Sequence, residues 1–162
     1  MNTTLKHTFT LIGYKLLFSI VAFVFLASFY YIPLHIYSII TAVLYLMASY
    51  SYLWKIGKKD SKEGFNIKNV LYPIILSELL VLVFTLLDVF FPNDITISIF
   101  RYYQLVYAGL ITNTLSKFLL IIPIFIAGCT AYILGYKKIE IYDGFIMKLV
   151  YKDKNKGDKN GR

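Results

Sequence analysis

The stretch VLYPIILSELLVLVFTLLDVFF, residues 70–91, decides the fold class of this chain. An α-helix rises about 1.5 Å per residue, so a helix of this length crosses a hydrocarbon core of about 30 Å. The only charged side chains in the stretch are Glu78 and Asp88, and no other apolar stretch of the chain contains an acidic residue. Residues 70–91 therefore predict a membrane-spanning helix that carries two carboxylates.

Polar side chains of this predicted helix fall on one side. A helix turns by about 100° per residue, which places Ser77, Glu78, Thr85 and Asp88 within an arc of about 100°. The rest of the circumference is formed by Leu, Val, Ile, Phe, Tyr and Pro side chains. This pattern predicts an intramembrane polar stripe that faces other helices, while the remaining surface meets lipid.

Depth in the membrane separates the two acids. Along the helix axis from residue 70, Glu78 lies at about 12 Å and Asp88 at about 27 Å. A charge at the bilayer midplane costs at least about 2.5–3.5 kcal/mol, so Glu78 must be protonated, paired or in contact with water. Asp88 can reach the lipid headgroups. Glu78 is thus either a functional group or a hydrogen-bonding group that fixes helix packing.

Composition points to a membrane protein without enzymatic activity. The 162 residues are 58% hydrophobic and 18% aromatic, and soluble domains are only about 45–50% apolar. The single cysteine, Cys129, excludes an intrachain disulfide, and no Cys/His cluster has the spacing of a metal site. Phosphate-binding loops, nucleophile elbows and zinc-protease motifs are absent from the sequence. We therefore expect no catalytic residues, no cofactor and no bound metal.

Three further apolar stretches complete the predicted fold: residues 11–32, 34–54 and 118–136. A cleaved signal peptide is the alternative for the first, but its apolar run continues without a small-residue cleavage site. Pro33 separates the first two spans so closely that they predict a tight antiparallel hairpin, and Pro123 predicts a kink in the last. We expect an all-α integral membrane protein with four transmembrane helices in an antiparallel bundle, formed by residues 1–136.

Small and polar residues mark two helix faces suited to close contact. In the second span, five small or polar residues recur at alternating intervals of three and four and so fall on one face: Ser38, Thr41, Tyr45, Ala48 and Tyr52. The last span carries Ala127 and Ala131 four residues apart, and Gly128 and Gly135 seven apart. Such patterns favour tight helix packing in lipid, although glycine and alanine are also common in membrane helices generally.

The segments between the spans are predicted from their polarity. Residues 55–69 hold five lysines with Asp60 and Glu63, and we expect a loop there. Residues 95–116 are too polar for a fifth span and too apolar for a free loop. Within them, residues 95–108 predict an interfacial helix between the third and fourth spans, lying on the outer surface or partly re-entrant.

Three basic residues are candidate charge partners for the two acids. Arg101 and Lys117 lie at the predicted level of Asp88, and either could pair with it. Lys15 lies about one turn inside the membrane. Its stem either snorkels to the near surface or reaches a salt bridge with Glu78, about 6 Å deeper.

Residues 137–162 form a short basic tail. The sequence around Asp143 and Gly144 predicts a β-hairpin, with a surface-lying helix over residues 145–151 as the alternative. From about residue 152 the tail is charged and lacks large apolar groups, so we expect disorder. Basic residues near a membrane surface attract anionic lipid.

The placement of positive charge predicts topology. Fifteen of the seventeen Lys and Arg residues lie before residue 16, in residues 55–69 or in the tail, which should all face the cytoplasm. Both termini are then cytoplasmic in a multi-pass plasma-membrane protein. Richness in Ile, Lys, Asn and Tyr fits an AT-rich bacterial genome. This location also accounts for the net charge of +8, and no motif indicates nucleic-acid binding.

Two classes of function fit these features. The first is a non-enzymatic accessory, partner-binding or immunity-type protein that acts by lateral helix contacts with another membrane protein or within a homo-oligomer. The second is a small proton- or cation-coupled carrier or channel in which Glu78 titrates. A single polar stripe is a thin lining for a path through one chain, so the second class would require an oligomer.

Overall fold

The computed structural model describes residues 3–29 and 31–139 of the chain. This part is all-helical, and no strand occurs within it. Its elements in chain order are α1 (Thr3–Ser28), α2 (Leu34–Glu63), α3 (Lys68–Phe90), α4 (Asp94–Tyr103), a 3₁₀ helix (Leu105–Leu110), α5 (Thr114–Leu119) and α6 (Ile122–Tyr136).

Four helical stretches are long and apolar enough to cross a membrane. They are Thr3–Ser28, Leu34–Glu63, Lys68–Phe90 and Thr114–Tyr136, the last composed of α5 and α6. The prediction of an all-α chain with four potential membrane helices is confirmed at this level. Many large apolar side chains on these helices are exposed, as expected for surfaces that meet hydrocarbon.

Helix α2 extends nine residues beyond the predicted span, and this corrects the predicted loop. Residues 55–63 are helical, and α3 begins at Lys68, so the connection is only residues 64–67. The buried face of α2 continues through Leu53, Ile56, Gly57 and Asp60. These positions follow helical spacing. The lysines of residues 55–63 hid this pattern because they occupy the exposed faces of the same helix.

The segment predicted as one interfacial helix over residues 95–108 is divided at Gln104. Helix α4 ends at Tyr103, and the 3₁₀ helix that follows packs into the bundle instead of lying on its surface. Val106 and Tyr107 are almost fully buried. Tyr107 contacts Tyr45, eleven residues along α2 and therefore about 16 Å from the start of that helix.

Side chains of α2 hold the 3₁₀ helix in place. Thr41 Oγ1 donates a hydrogen bond of 3.0 Å to the Val106 carbonyl oxygen. Ser38 Oγ accepts one of 2.7 Å from the Gly109 amide. Gly109 lies so close to Leu34 that a Cβ atom there would overlap the Leu34 backbone. The hydroxyl groups of Ser38 and Thr41 thus provide hydrogen-bond partners for backbone groups of the 3₁₀ helix inside the bundle.

The last span is interrupted where the sequence predicts a kink. Helix α5 ends at Leu119, four residues before Pro123, and α6 begins at Ile122. Proline has no amide hydrogen to donate to the carbonyl four residues earlier, and its ring clashes with that carbonyl. Pro123 therefore divides the span into two helices.

The backbones of helices α2 and α6 approach each other closely at two glycines. Gly57 faces the Tyr132 carbonyl group, and Gly135 faces that of Trp54. Both glycines are buried. A Cβ atom at either position would overlap the facing carbonyl oxygen, so the approach requires glycine on both helices.

The predicted β-hairpin, its helical alternative and the predicted disorder from about residue 152 concern residues 138–162. All but the first two of these residues lie outside the described part of the chain.

Candidate functional site

A buried ion pair joins α1 to α3. Lys15 Nζ lies 3.0 Å from Glu78 Oε2 and 3.3 Å from Glu78 Oε1, so the ammonium donates to both carboxylate oxygens. The two side chains are each 3% exposed. Helix α1 therefore supplies the cation that Glu78 needs in the interior of the bundle, and α3 supplies the anion that Lys15 needs.

Tyrosine rings surround this pair. Lys15 Nζ lies 5.3 Å from the ring centroid of Tyr103 and 5.8 Å from that of Tyr107, distances typical of cation–π interactions. Tyr45 packs edge-on against Tyr107, with ring centroids 6.2 Å apart. The hydroxyl groups of Tyr103 and Tyr107 are buried and have no hydrogen-bond partner within the described residues. Buried polar atoms of this kind are uncommon and mark a place where water or a ligand can bind.

All four residues of the predicted polar stripe are buried, but two of them bond within α3 and two contact other helices. Ser77 Oγ donates to the Ile74 carbonyl and Thr85 Oγ1 to the Val81 carbonyl, so both hydroxyls are satisfied within α3. Only Glu78 and Asp88 reach other helices. The arc of about 100° is therefore not one continuous polar path.

Asp88 pairs with one of its two candidate partners. Lys117 of α5 forms an ion pair with Asp88, and its Nζ lies 5.2 Å from the ring centroid of Phe100. Arg101 is exposed at the same end of the bundle and forms no ion pair with any residue in the described ranges. The Glu78 and Asp88 charges are thus each neutralised by a lysine of another helix.

A third polar cluster, around Asp60, was missed by the sequence analysis. Asp60 is 4% exposed, and its Oδ2 accepts hydrogen bonds from Asn69 Nδ2 at 2.8 Å and from the Tyr132 hydroxyl at 2.9 Å. The Asn66 amide donates in turn to the Tyr132 oxygen. This network joins α2, α3 and α6. The helical spacing of Leu53, Ile56 and Asp60 was the signal that could have revealed it.

Removing the hydroxyl group of Tyr132 is expected to weaken this network. A Tyr132→Phe variant deprives the buried Asp60 of one donor and the Asn66 amide of its acceptor, which should cost about 1–3 kcal/mol in the free energy of unfolding. The measurement is unfolding of the purified protein in mixed micelles. The control is Tyr72→Phe, at a side chain that is half exposed, which should stay within about 0.5 kcal/mol of the parent. Equal losses in both variants would contradict the assigned role.

The described residues contain no group of three or more His, Cys, Asp or Glu side chains that could hold a metal ion. The carboxylates of Glu78 and Asp88 are each engaged in an ion pair with a lysine. The Lys15–Glu78 pair can hold α1 against α3. The unpartnered hydroxyl groups of Tyr103 and Tyr107 can bind and polarise a water molecule or a small ligand.

These features define an all-helical chain with four helical stretches able to cross a membrane and with two ion pairs between its helices. No protein-family model matches the chain, and neither a curated protein nor a solved structure is significantly similar to it.

Proposed function

We propose that this chain is a non-enzymatic, multi-pass protein of a bacterial plasma membrane that acts by lateral helix contacts on a partner. In this proposal its four spans form an antiparallel bundle with both termini in the cytoplasm. The placement of fifteen of seventeen basic residues supports that orientation. An accessory subunit, a stabiliser of another membrane protein and an immunity-type protein all belong to this class.

The observation that carries the proposal is the Lys15–Glu78 pair. The one acid expected near the midplane is neutralised by a cation of the same chain, and both side chains are 3% exposed. A transported ion would have to displace Lys15 to reach Glu78. The pair therefore favours a packing role, in which it fastens α1 to α3 and leaves the outer helix surfaces for a partner.

Helix α1 is the span with the most surface available for such contact. Of an 18-residue apolar segment in α1, only 22% is buried within the structure, compared with 39% of the corresponding segments in α2 and α3. A groove of 590 Å³ runs beside it, lined by Leu16, Ile20 and Phe23 from α1 and by Ile99 and Tyr102 from α4. Apolar surface of this shape can accept side chains of a neighbouring membrane protein.

A carrier role for Glu78 is the second candidate. It is favoured by the buried hydroxyls of Tyr103 and Tyr107, which have no partner among the described residues and belong to the rings that flank Lys15. Water or an ion bound there could exchange protons with the pair. A coupled carrier in this form would require that the pair open during transport.

Two measurements separate the candidates. The double variant Lys15→Gln/Glu78→Gln removes both charges together, so neither partner is left as an isolated buried ion. Under the accessory proposal, host cells with the double variant show the same phenotype as cells with the parent chain, and the variant contacts the same partner. Under the carrier hypothesis it abolishes proton or cation flux in liposomes that carry an imposed gradient.

Partner contacts are measured by photo-crosslinking in the native membrane. A benzoylphenylalanine at Ile20 of α1, 62% exposed, should give one discrete protein adduct. The matched position is Ile126 of α6, 60% exposed, which should give none. Absence of a protein adduct at Ile20, together with flux that the double variant loses, would replace the accessory proposal with the carrier.

A further inference from the structure

A cleft of 640 Å³ lies at the end of the bundle where α3 ends, and we name it the Asp88 cleft. It is bordered by Leu26 near the end of α1, Leu34 at the start of α2 and Pro92 just after α3. Because these residues mark the ends of three potential membrane helices, the cleft lies at the expected depth of lipid headgroups. Its polar lining residues are Asp88, Arg101, Gln104 and Lys117.

The charges of the Asp88 cleft favour an anionic ligand. Lys117 is engaged with Asp88. Arg101 is exposed and forms no ion pair within the described part of the chain. Two cations against one carboxylate leave a net positive charge. A guanidinium presents several donors in a planar fork, which is the geometry that phosphate oxygens accept.

Gln104 provides an independent indication of a ligand. The residue borders the cleft and is 1% exposed, and its Oε1 has no hydrogen-bond partner among the described residues. A buried amide oxygen without a donor is costly, and binding of a group that supplies the donor removes this cost.

We propose that the Asp88 cleft binds the headgroup of an anionic phospholipid, with its phosphodiester at Arg101 and a headgroup hydroxyl donating to Gln104 Oε1. The apolar walls formed by residues such as Leu26, Leu34 and Ile97 receive the adjoining part of the lipid. A choline or ethanolamine headgroup fits less well, because its ammonium needs a carboxylate and Asp88 is already paired. This site is distinct from any attraction of lipid to the basic tail.

The test uses the full-length chain purified in neutral detergent, with lipid binding measured by native mass spectrometry. Three lipids are compared: phosphatidylglycerol, phosphatidylmethanol, which is anionic but lacks headgroup hydroxyls, and phosphatidylcholine. The parent chain should prefer them in that order. Arg101→Gln should weaken phosphatidylglycerol binding about tenfold, the loss expected for one charge-assisted hydrogen-bonding partner.

Matched variants make the result specific. Lys59→Gln removes the same charge from an exposed side chain of α2 far from the cleft, and it should bind phosphatidylglycerol as the parent does. Gln104→Leu removes the unpartnered oxygen. It should unfold no more readily than the parent, yet no longer distinguish phosphatidylglycerol from phosphatidylmethanol.

Three outcomes would overturn the proposal. One is unchanged phosphatidylglycerol binding in Arg101→Gln, and another is an equal loss in Lys59→Gln. The third is full displacement of bound phosphatidylglycerol by soluble glycerol phosphate, which would assign the cleft to a soluble phosphate ester instead of a lipid. None of these results depends on whether the chain is an accessory protein or a carrier.

Discussion

Removing the carboxylate of Glu78 alone, in a Glu78→Ala variant, is expected to lower the free energy of unfolding by about 3–5 kcal/mol. The reason is that the Lys15 side chain is 3% exposed and would be left in the interior without its counter-ion. The flanking rings of Tyr103 and Tyr107 offset only part of that cost, because a cation–π contact contributes about 0.5–2 kcal/mol. Lys15→Ala should be similarly destabilising, since it leaves the Glu78 carboxylate alone.

Loss of both charges should be tolerated much better than loss of one. In Lys15→Met/Glu78→Leu, apolar side chains of similar volume fill the space, and such replacements of buried ion pairs are often neutral or stabilising. The double variant should therefore unfold at or above the denaturant concentration of the parent. The measurement is unfolding in micelles with increasing amounts of a denaturing detergent, followed by circular dichroism.

The control for this series is the exposed pair Lys59–Glu63. Its nitrogen and oxygen lie 3.7 Å apart, and the side chains are 69% and 65% exposed. Glu63→Ala should cost less than about 1 kcal/mol because water and salt screen an exposed pair. If Glu78→Ala were no more destabilising than Glu63→Ala, the Lys15–Glu78 pair could not be what fastens α1 to α3.

Alanine at Gly135 is expected to destabilise the contact between α2 and α6 by about 1–3 kcal/mol or more. A Cβ atom there would overlap the Trp54 carbonyl oxygen, which belongs to the backbone of α2 and cannot rotate away. The two helices would have to separate along their contact. That movement would also disturb the nearby Asp60–Tyr132 hydrogen bond.

Gly13→Ala is the matched control for Gly135→Ala. Both glycines lie in apolar helices, but an added Cβ atom at Gly13 meets nothing within 4 Å. Alanine there should raise the free energy of unfolding by up to about 0.5–1 kcal/mol, because it reduces the entropy of the unfolded chain and favours helix. The same detergent titration measures both variants. A Gly135→Ala variant as stable as Gly13→Ala would contradict the close approach of α2 and α6.

Sequence pattern predicted the helices well where burial in lipid or protein controls the choice of residues. The apolar stretch of α3 and the interruption before Pro123 both appear in the structure because each depends on local properties. The pattern failed at residues 55–63. Five of the seven residues 55–61 are charged or glycine, which is typical of a loop. The buried positions of α2 in this segment, Ile56, Gly57 and Asp60, lie among them.

For the candidate site, the sequence likewise predicted what depends on one helix and not what depends on contacts between helices. Helical geometry alone placed Ser77, Glu78, Thr85 and Asp88 on one side of α3, and all four are buried. It could not decide which of Arg101 and Lys117 pairs with Asp88, because both lie at the same end. Helical spacing with Leu53 and Ile56 could have indicated that Asp60 is buried, but it could not indicate that Asn69 and Tyr132 are its partners.

By itself the sequence determined a chain with four helices able to cross a membrane, since length, hydropathy and proline position act within each segment. Only the tertiary structure decided that Lys15 meets Glu78, that the 3₁₀ helix enters the bundle beside Ser38 and Thr41, and that Gly57 and Gly135 bring two backbones together. These contacts join residues far apart in the chain. They depend on how the helices are rotated and tilted against one another, which helical periodicity within one segment does not specify.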